Sequence, residues 1–517
     1  MVFDMNDEVS NEIDSTVREK NAGVEKVPEK KWRRRFNRLA WRVHARFPNT
    51  VPNPYRREKE SIRKRDAQAN LESSLKEGEN LQLGCIVVSE IFGPNEIEAL
   101  YEDLIKIGWG KDRISTLTDV NIEWIKEQRL YGHGGWLSLG HVVRPREVKD
   151  FLGVCYTADF PIEFSSLWVR LTQLTPSVTC MTVAFMLSDE ASRDYLHEIN
   201  RPAETRYSPN RRTGGYAVQG VEVEKETRVG LVREKYRNLG IAWFAKNFPG
   251  FFTKHCEDTR FPTAEFLSLD GFTPFEHDTE IKRGWRHWSR FVGIGRSSDF
   301  WLNNENPSLG YAMRNGYQET LPNHITVAQR WEASSEPNEE VVEISLNRKA
   351  MTALNELEGI IPHYAFTAYL SELLRDLKET RQSFATVSKA RRSTQDVDRI
   401  SSFFRRFVGI PAVAQEALAL AKDEVSFRIN ASGFSYHSGF GADKKLESAD
   451  GLRSFTERLS RKLLEDDRGT REFLNQMSSA IGTKENIAAQ RRMEFLAVVA
   501  AIVSFGSLIV ASIAIGK

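Results

Sequence analysis

The feature that most constrains this chain is an unbroken apolar run close to its end. From Phe495 to Ile515 it reads FLAVVAAIVSFGSLIVASIAI, 21 residues without a charged side chain. A helix rising about 1.5 Å per residue makes this run long enough for the roughly 30 Å hydrocarbon core of a bilayer. A buried core helix is the competing reading, but such helices seldom stay wholly apolar beyond about 14 residues. The run therefore predicts one transmembrane helix. Lys484, Arg491 and Arg492 precede it and only Lys517 follows it. Positive flanks favour the cytoplasmic side, so the body is expected in the cytoplasm. With only Gly516 and Lys517 beyond the run, insertion is expected after synthesis, as a tail anchor.

Small side chains recur along the run at Ala497, Ala500, Ser504, Ser507, Ala511 and Ala514. Spacings of three and four place them on one stripe. In lipid, helices associate by close packing of small residues, so the stripe is a candidate self-association face and points to a homo-oligomer.

The rest of the chain has the composition of a folded protein: 40% hydrophobic and 28% charged residues, with 72 basic against 71 acidic side chains. That balance argues against a surface built throughout for nucleic acid. Cys85, Cys155, Cys180 and Cys256 form no CxxC pair and no zinc spacing, so neither a disulfide framework nor a metal site is expected. The opening MVFDMNDEVSNEIDS is acidic and lacks the apolar core of a secretory signal.

A second informative segment is KKWRRRFNRLAWRVHARF, residues 30–47, which ends at Pro48, Pro52 and Pro54. On a helical wheel Trp32, Phe36, Leu39, Ala40, Val43 and Phe47 share an arc of about 100°. Arg34, Arg35, Arg38, Arg42 and Arg46 fall on the flanking and opposite faces, and Trp41 breaks the division. Such a basic amphipathic helix suits a membrane interface with anionic lipid head groups. The competing occupants are the protein's own core, an acidic partner and an RNA backbone.

Between these segments the pattern is mixed. After a polar, charged stretch from Arg56 to Glu79, LQLGCIVVSEIF reads as a buried strand, followed by the helix NEIEALYEDLIKIGW. A hairpin is expected from Leu167 to Leu187, then a helix capped by Ser188 or Asp189. Arg201 to Gly220 reads as a long exposed loop before a helix through VEKETRVGLVREKYRNLGIAWFAKNF. FLSLDGF, HITVAQRW and EEVVEISL are strand-like. Met351 to Ala385, Gln395 to Val425 and the run from Gly451 show helical spacing, interrupted by Gly433, Gly439 and Gly441.

Chemical motifs fail on context. Gly132, His133, Gly134 and Gly135 resemble an oxyanion-hole loop, but no GxSxG elbow accompanies them, Ser138 has no evident partner, and the stretch reads as a glycine-rich turn. Gly293 and Gly295 lack the third glycine of a dinucleotide fingerprint. His255, Asp258, His277, Asp278, Glu280 and His287 match no metal-ligand spacing. Trp285, Trp288 and Trp301 near Arg286 and Arg290 suggest a structural aromatic and guanidinium cluster.

The expected fold class is α+β, with a mixed α/β cytoplasmic domain, a C-terminal helical stalk and one transmembrane helix. The expected organisation is a flexible region at 1–79 carrying the basic helix 30–47, a mixed domain at 80–348, a helical region and stalk at 349–494, and the span at 495–515. The expected function is that of a membrane-tethered, non-enzymatic interaction or sensor protein without cofactors. Two alternatives are an oligomeric membrane-permeabilising or ion-conducting effector, and a membrane-bound hydrolase whose site carries no sequence motif.

Overall fold

The run LQLGCIVVSEIF folds as the strand Asn80–Phe92 (β1) and shows how the sheet is built. Leu81 and Leu83 lie in one core and so do Ile86 and Val88, whereas Cys85 and Val87 enter a second core. The alternation changes phase at Gly84, where the pairing with Thr263–Asp270 (β8) shifts between Leu83 and Cys85. A bulge of this kind inserts one residue and resets which face each side chain takes. Glycine fits because a Cβ at position 84 would lie 2.7 Å from Phe266 Cδ1.

A computed structural model describes residues 31–47, 51, 56–111, 120–132, 134–147, 155–209, 216–275, 287–295, 300–315, 323–331, 345–387, 393–424, 427, 433–437 and 447–515. They divide into two compact units, one of Met1–Leu71 with Pro202–Glu224 and one of Glu72–Arg201 with Lys225–Lys517.

The larger unit is mixed α/β. Its sheet has ten strands: β1 and β8, with Gly135–Val143 (β2), Tyr156–Thr157 (β3), Phe164–Thr175 (β4), Val178–Leu187 (β5), Phe300–Asn303 (β9), Leu309–Asn315 (β10), Asn323–Arg330 (β11) and Phe434–His437 (β12). Their order is β12-β9-β10-β11-β8-β1-β5-β4-β2-β3. Pairings are antiparallel except β11 with β8 and β2 with β3. The expected hairpin is β4 and β5, with Leu167 opposite Phe185 and Leu171 opposite Met181.

Helices cover both faces. One core joins β1 and β5 to Ile97–Ile107 (α3) and Val221–Asn247 (α6), through Leu100, Leu104, Tyr236 and Phe244. It continues over Ile360–Val387 (α10), Ser393–Arg406 (α11) and Ile410–Lys422 (α12). The second core sets Phe266, Tyr311 and Val327 against Ala350, Ala353 and Leu354 of Leu346–Glu356 (α9). Val120–Tyr131 (α4), Asp194–Asn200 (α5), Phe251–His255 (α7) and Trp288–Phe291 (α8) complete the unit's shorter helices.

A buried charge network crosses this unit. Glu265 on β8 is wholly buried and takes two hydrogen bonds from Arg233 Nε, each 3.0 Å, and one from Arg233 Nη2 at 2.7 Å. The Tyr195 hydroxyl donates to it at 2.6 Å, Thr326 Oγ1 at 3.2 Å, and His324 Nε2 lies 3.5 Å away. Burial pushes the Glu265 carboxyl up, but Arg233 and His324 outweigh it and hold it well below the usual carboxylate range.

The longest helix is Ser448–Ile515 (α13), 68 residues. Leu452, Leu459, Leu463 and Leu474 are buried, while Thr456 and Ser460 turn their hydroxyls to the carbonyls of Leu452 and Thr456 at 2.8 and 2.7 Å. After the half-buried Met477 every described side chain is exposed. The expected transmembrane segment is helical to Ile515. Among the described residues, however, no helix is long and apolar enough to cross a membrane. The side chains at 505 and 508–517 lie outside the described set, which includes Ala511 and Ala514 of the small-residue stripe.

The smaller unit contains Lys31–Arg46 (α1), Arg56–Glu72 (α2) and a two-stranded hairpin, Arg206–Pro209 (β6) with Tyr216–Gln219 (β7). Asp66 accepts from Thr205 N and Oγ1 at 2.9 and 2.6 Å, and Asn70 exchanges bonds of 2.8 and 2.9 Å with the backbone of Ala203. The stretch read as a loop between Arg201 and Gly220 thus forms strands, because its register is set by cross-strand pairing rather than by local apolar pattern. Likewise the glycine-rich turn expected at Gly132–Gly135 runs at its last residue into strand β2, which is laid along β4. The strand expected at EEVVEISL falls largely outside the described residues, and its last position begins α9.

Candidate functional site

In the larger unit a pocket of about 290 Å³ opens between the loop before α3, the short helix α7, and helices α10, α11 and α12. Its position follows from Glu90 at the end of β1. That carboxylate accepts from the Phe252 and Thr253 amides at 2.8 and 3.0 Å and from Thr253 Oγ1 at 2.7 Å, so it caps α7. A side-chain anion at a helix N-terminus satisfies donors that the helix itself leaves open. Burial pushes the Glu90 carboxyl up to about 7, against the pull of these donors. Gly250 makes the approach possible, since a Cβ there would meet Glu90 Cγ at 2.6 Å. Once capped, α7 presents Phe251, Lys254 and His255 to the pocket.

The facing groups come from distant segments. Glu96 is 4% exposed, its Oε2 accepts from the Gly93 amide at 3.1 Å, and its Oε1 lies 3.8 Å from His255 Nε2. Tyr369 on α10 is 3% exposed and stacks edge-on against Phe251 at 4.6 Å. Its hydroxyl sits over Gly93, where a Cβ would lie 2.9 Å from it. It makes no hydrogen bond among the described residues. Burial raises its pKa, helped by the charge of Glu96. On the other wall Asp376 pairs with Arg406 at 2.6 Å. Burial raises the Asp376 carboxyl, while Arg406 and His255 oppose that rise. Pro94, Leu373, Phe407, Ile410 and Val413 supply the apolar surface.

Chemically the wall offers an open phenol, an ammonium, an imidazole beside a carboxylate, and a second carboxylate already paired with a guanidinium. These groups can hold a small polar ligand or move a proton. No serine, threonine or cysteine lines the pocket among the described residues. Cys256, one residue beyond His255, points to Glu372 at 3.7 Å, and burial, then the Glu372 charge, pushes its thiol up.

Among the described residues singled out in the sequence, only His255 lies at this pocket. Asp258 sits exposed in a short turn of helix, and His287 Nε2 is 3.9 Å from Glu72. His277, Asp278, Glu280, His133, Trp285 and Arg286 lie outside the described residues. Among the described residues no group of histidine, cysteine and carboxylate side chains is placed to hold a metal ion. Ser138 accepts from Trp168 Nε1 at 3.2 Å, a structural contact. Trp288 packs on Phe272 at 5.1 Å whereas Trp301 stacks on Tyr311 at 5.2 Å, so these two rings serve separate packing contacts.

The interface residues Trp32, Phe36, Leu39, Val43 and Phe47 of α1 and its C-terminal edge are exposed, as are Arg35 and Arg42. The side chains of Arg34, Arg38 and Arg46 are outside the described set. Ala497, Ala500, Ser504 and Ser507 are exposed on α13, and Ser507 Oγ donates to the Val503 carbonyl at 2.8 Å. Compared with protein-family models, with curated proteins and with solved structures, the chain matches none.

Proposed function

We propose that this chain is a membrane-tethered sensor. Residues 495–515 cross a bilayer once, the body lies on the cytoplasmic side with Lys484, Arg491 and Arg492, and the pocket takes a small polar ligand. One observation carries the reading: α13 leaves the body with its apolar residues uncovered. Phe495, Leu496, Val498, Ile502 and Val503 are 67, 64, 56, 65 and 62% exposed. A contiguous apolar surface of this kind marks an interaction or membrane site. The sequence continues it without a charge to Ile515, a length that suits a bilayer. Ser507 meets the demand that polar groups in lipid be satisfied internally, through its bond to Val503. The small-residue stripe is then the face by which copies of the chain meet.

The pocket favours a second reading, a membrane-bound hydrolase working by general acid and base, because Glu96, His255, Tyr369 and Asp376 converge there. The sensor reading is preferred. Asp376 is committed to Arg406, Glu96 to the Gly93 amide, and the described wall carries no serine, threonine or cysteine.

The tether is tested by alkaline extraction of membranes from cells making the full chain or a chain ending at Glu494. The full chain is expected to stay with the lipid and the shorter one to leave it. Release of both would remove the reading.

A further inference from the structure

Helix α1 rests on its own unit by the wrong side for an ordinary surface helix. Asn37, Ala40 and His44, spaced by three and four, are half-buried, and His44 Nδ1 lies 2.5 Å from the Val51 carbonyl. The aromatic stripe faces outward instead: Trp32, Phe36 and Leu39 are 64, 63 and 61% exposed, with Val43 and Phe47 at 40 and 54%. A surface helix normally buries its apolar stripe and exposes the polar one. Here the apolar stripe, apart from Ala40 at its edge, has no cover among the described residues.

Charge identifies the occupant. The helix KWRRRFNRLAWRVHAR contains no acidic residue, and on the wheel Arg35, Arg42 and Arg46 flank the stripe on one side and Arg33 on the other, with Arg34 and Arg38 on the opposite face. We propose that α1 lies in the head-group layer of an anionic bilayer, with Trp32, Phe36, Leu39, Val43 and Phe47 among the acyl chains and the arginines on lipid phosphates. A bilayer uses both halves of the pattern along the whole helix, because an apolar stripe enters the acyl boundary while cations meet the head groups. A nucleic-acid backbone would engage the arginines and leave the aliphatic positions Leu39 and Val43 in water. The proposal rests on the tether for the nearness of a membrane, but the contact itself is separate from it.

The test uses the full chain with Phe36→Cys carrying an environment-sensitive dye, and the similarly treated unsubstituted chain as blank. It is reconstituted into vesicles of phosphatidylcholine alone or with one-third phosphatidylglycerol. In anionic vesicles the dye is expected to shift to the blue and to be quenched by brominated lipid. High salt, or Arg35→Gln with Arg38→Gln and Arg42→Gln, should reverse this. The three changes should shift the docked-to-free ratio about 100-fold, at roughly fivefold per basic residue. A water-like spectrum in both vesicles, or a shift that appears only on adding RNA, would overturn the proposal. Failure of the tether reads differently: the chain then floats with anionic vesicles alone, or with neither, whatever the dye reports.

Discussion

Replacing Glu265 with leucine is expected to lower the stability of the larger unit by about 3–5 kcal/mol, because it strands the Arg233 guanidinium in the core. The side chains of Arg233 and Glu265 are 4% and 0% exposed, and their pairing at 2.7 Å is supported by Tyr195 and Thr326. Neither charge can be solvated if the other is removed. With an unfolding entropy of about 2.1 cal/mol/K per residue, a unit of this size should lose roughly 4–6 °C in Tm. Adding Arg233→Met to Glu265→Leu should recover most of the loss, since an apolar pair of similar volume has no stranded charge. The pH dependence has a defined sign. A carboxyl held below its unfolded value of about 4.3 stabilises the fold above that pH, and the contribution is lost as the pH falls through the folded value. Thermal unfolding of single and double variants between about pH 3 and pH 7, a range that brackets the ordinary carboxyl pKa, checks both points. A Glu265→Leu chain as stable as the parent would contradict them.

The second large effect is expected in the apolar run. Val503→Asp with Ser507→Asp places two carboxylates one turn apart near the middle of 495–515. Each charged residue at a helix centre costs about 2.5–3.5 kcal/mol on insertion. Together they should abolish membrane retention, a change of roughly 10⁴-fold in partition at 1.4 kcal/mol per decade. The folded body should be unaffected, because both positions are already exposed and remote in sequence from Leu474, the last buried residue among those described on α13. Fractionation followed by circular dichroism of the released chain checks this. Retention equal to that of the parent would contradict it.

Much of the sheet could be read locally. The β4 and β5 hairpin announces itself through alternating apolar residues on either side of a short turn, and β1 through a buried run of β-branched and apolar residues. What escaped the sequence depends on distant pairing. Strand β2 was masked by its glycines, one of which, Gly140, has a φ of 75° within the strand at the point where pairing with β4 shifts register. β12 is four residues long and acquires its place only by pairing with β9, as in Phe434 with Asn303. Arg56–Glu72 lacks an apolar stripe, and its buried Asp66 anchors it through Thr205, far along the chain.

The pocket was illegible for the same reason. Tyr369 and Asp376, seven residues apart, share one face of α10, but Glu96, His255 and Arg406 come from other segments, and only the fold makes them neighbours. His255 was singled out for a metal reading, yet its nearest charged group is Glu96 rather than the acids beside it in sequence. Tyr369 lies within a helical apolar pattern that reads as core. Its open hydroxyl is a property of the loop at Gly93 and could not be seen from its own neighbours.

Single cysteines placed along α13 test the tether most directly. Ser479→Cys and Gln490→Cys lie before the apolar run, while Ala500→Cys and Ser507→Cys lie inside it. In intact membranes open on the body's side, a membrane-impermeant maleimide should modify the first two and spare the last two until detergent is added. Equal modification of all four before detergent would show that the run lies in water, and the account would fail.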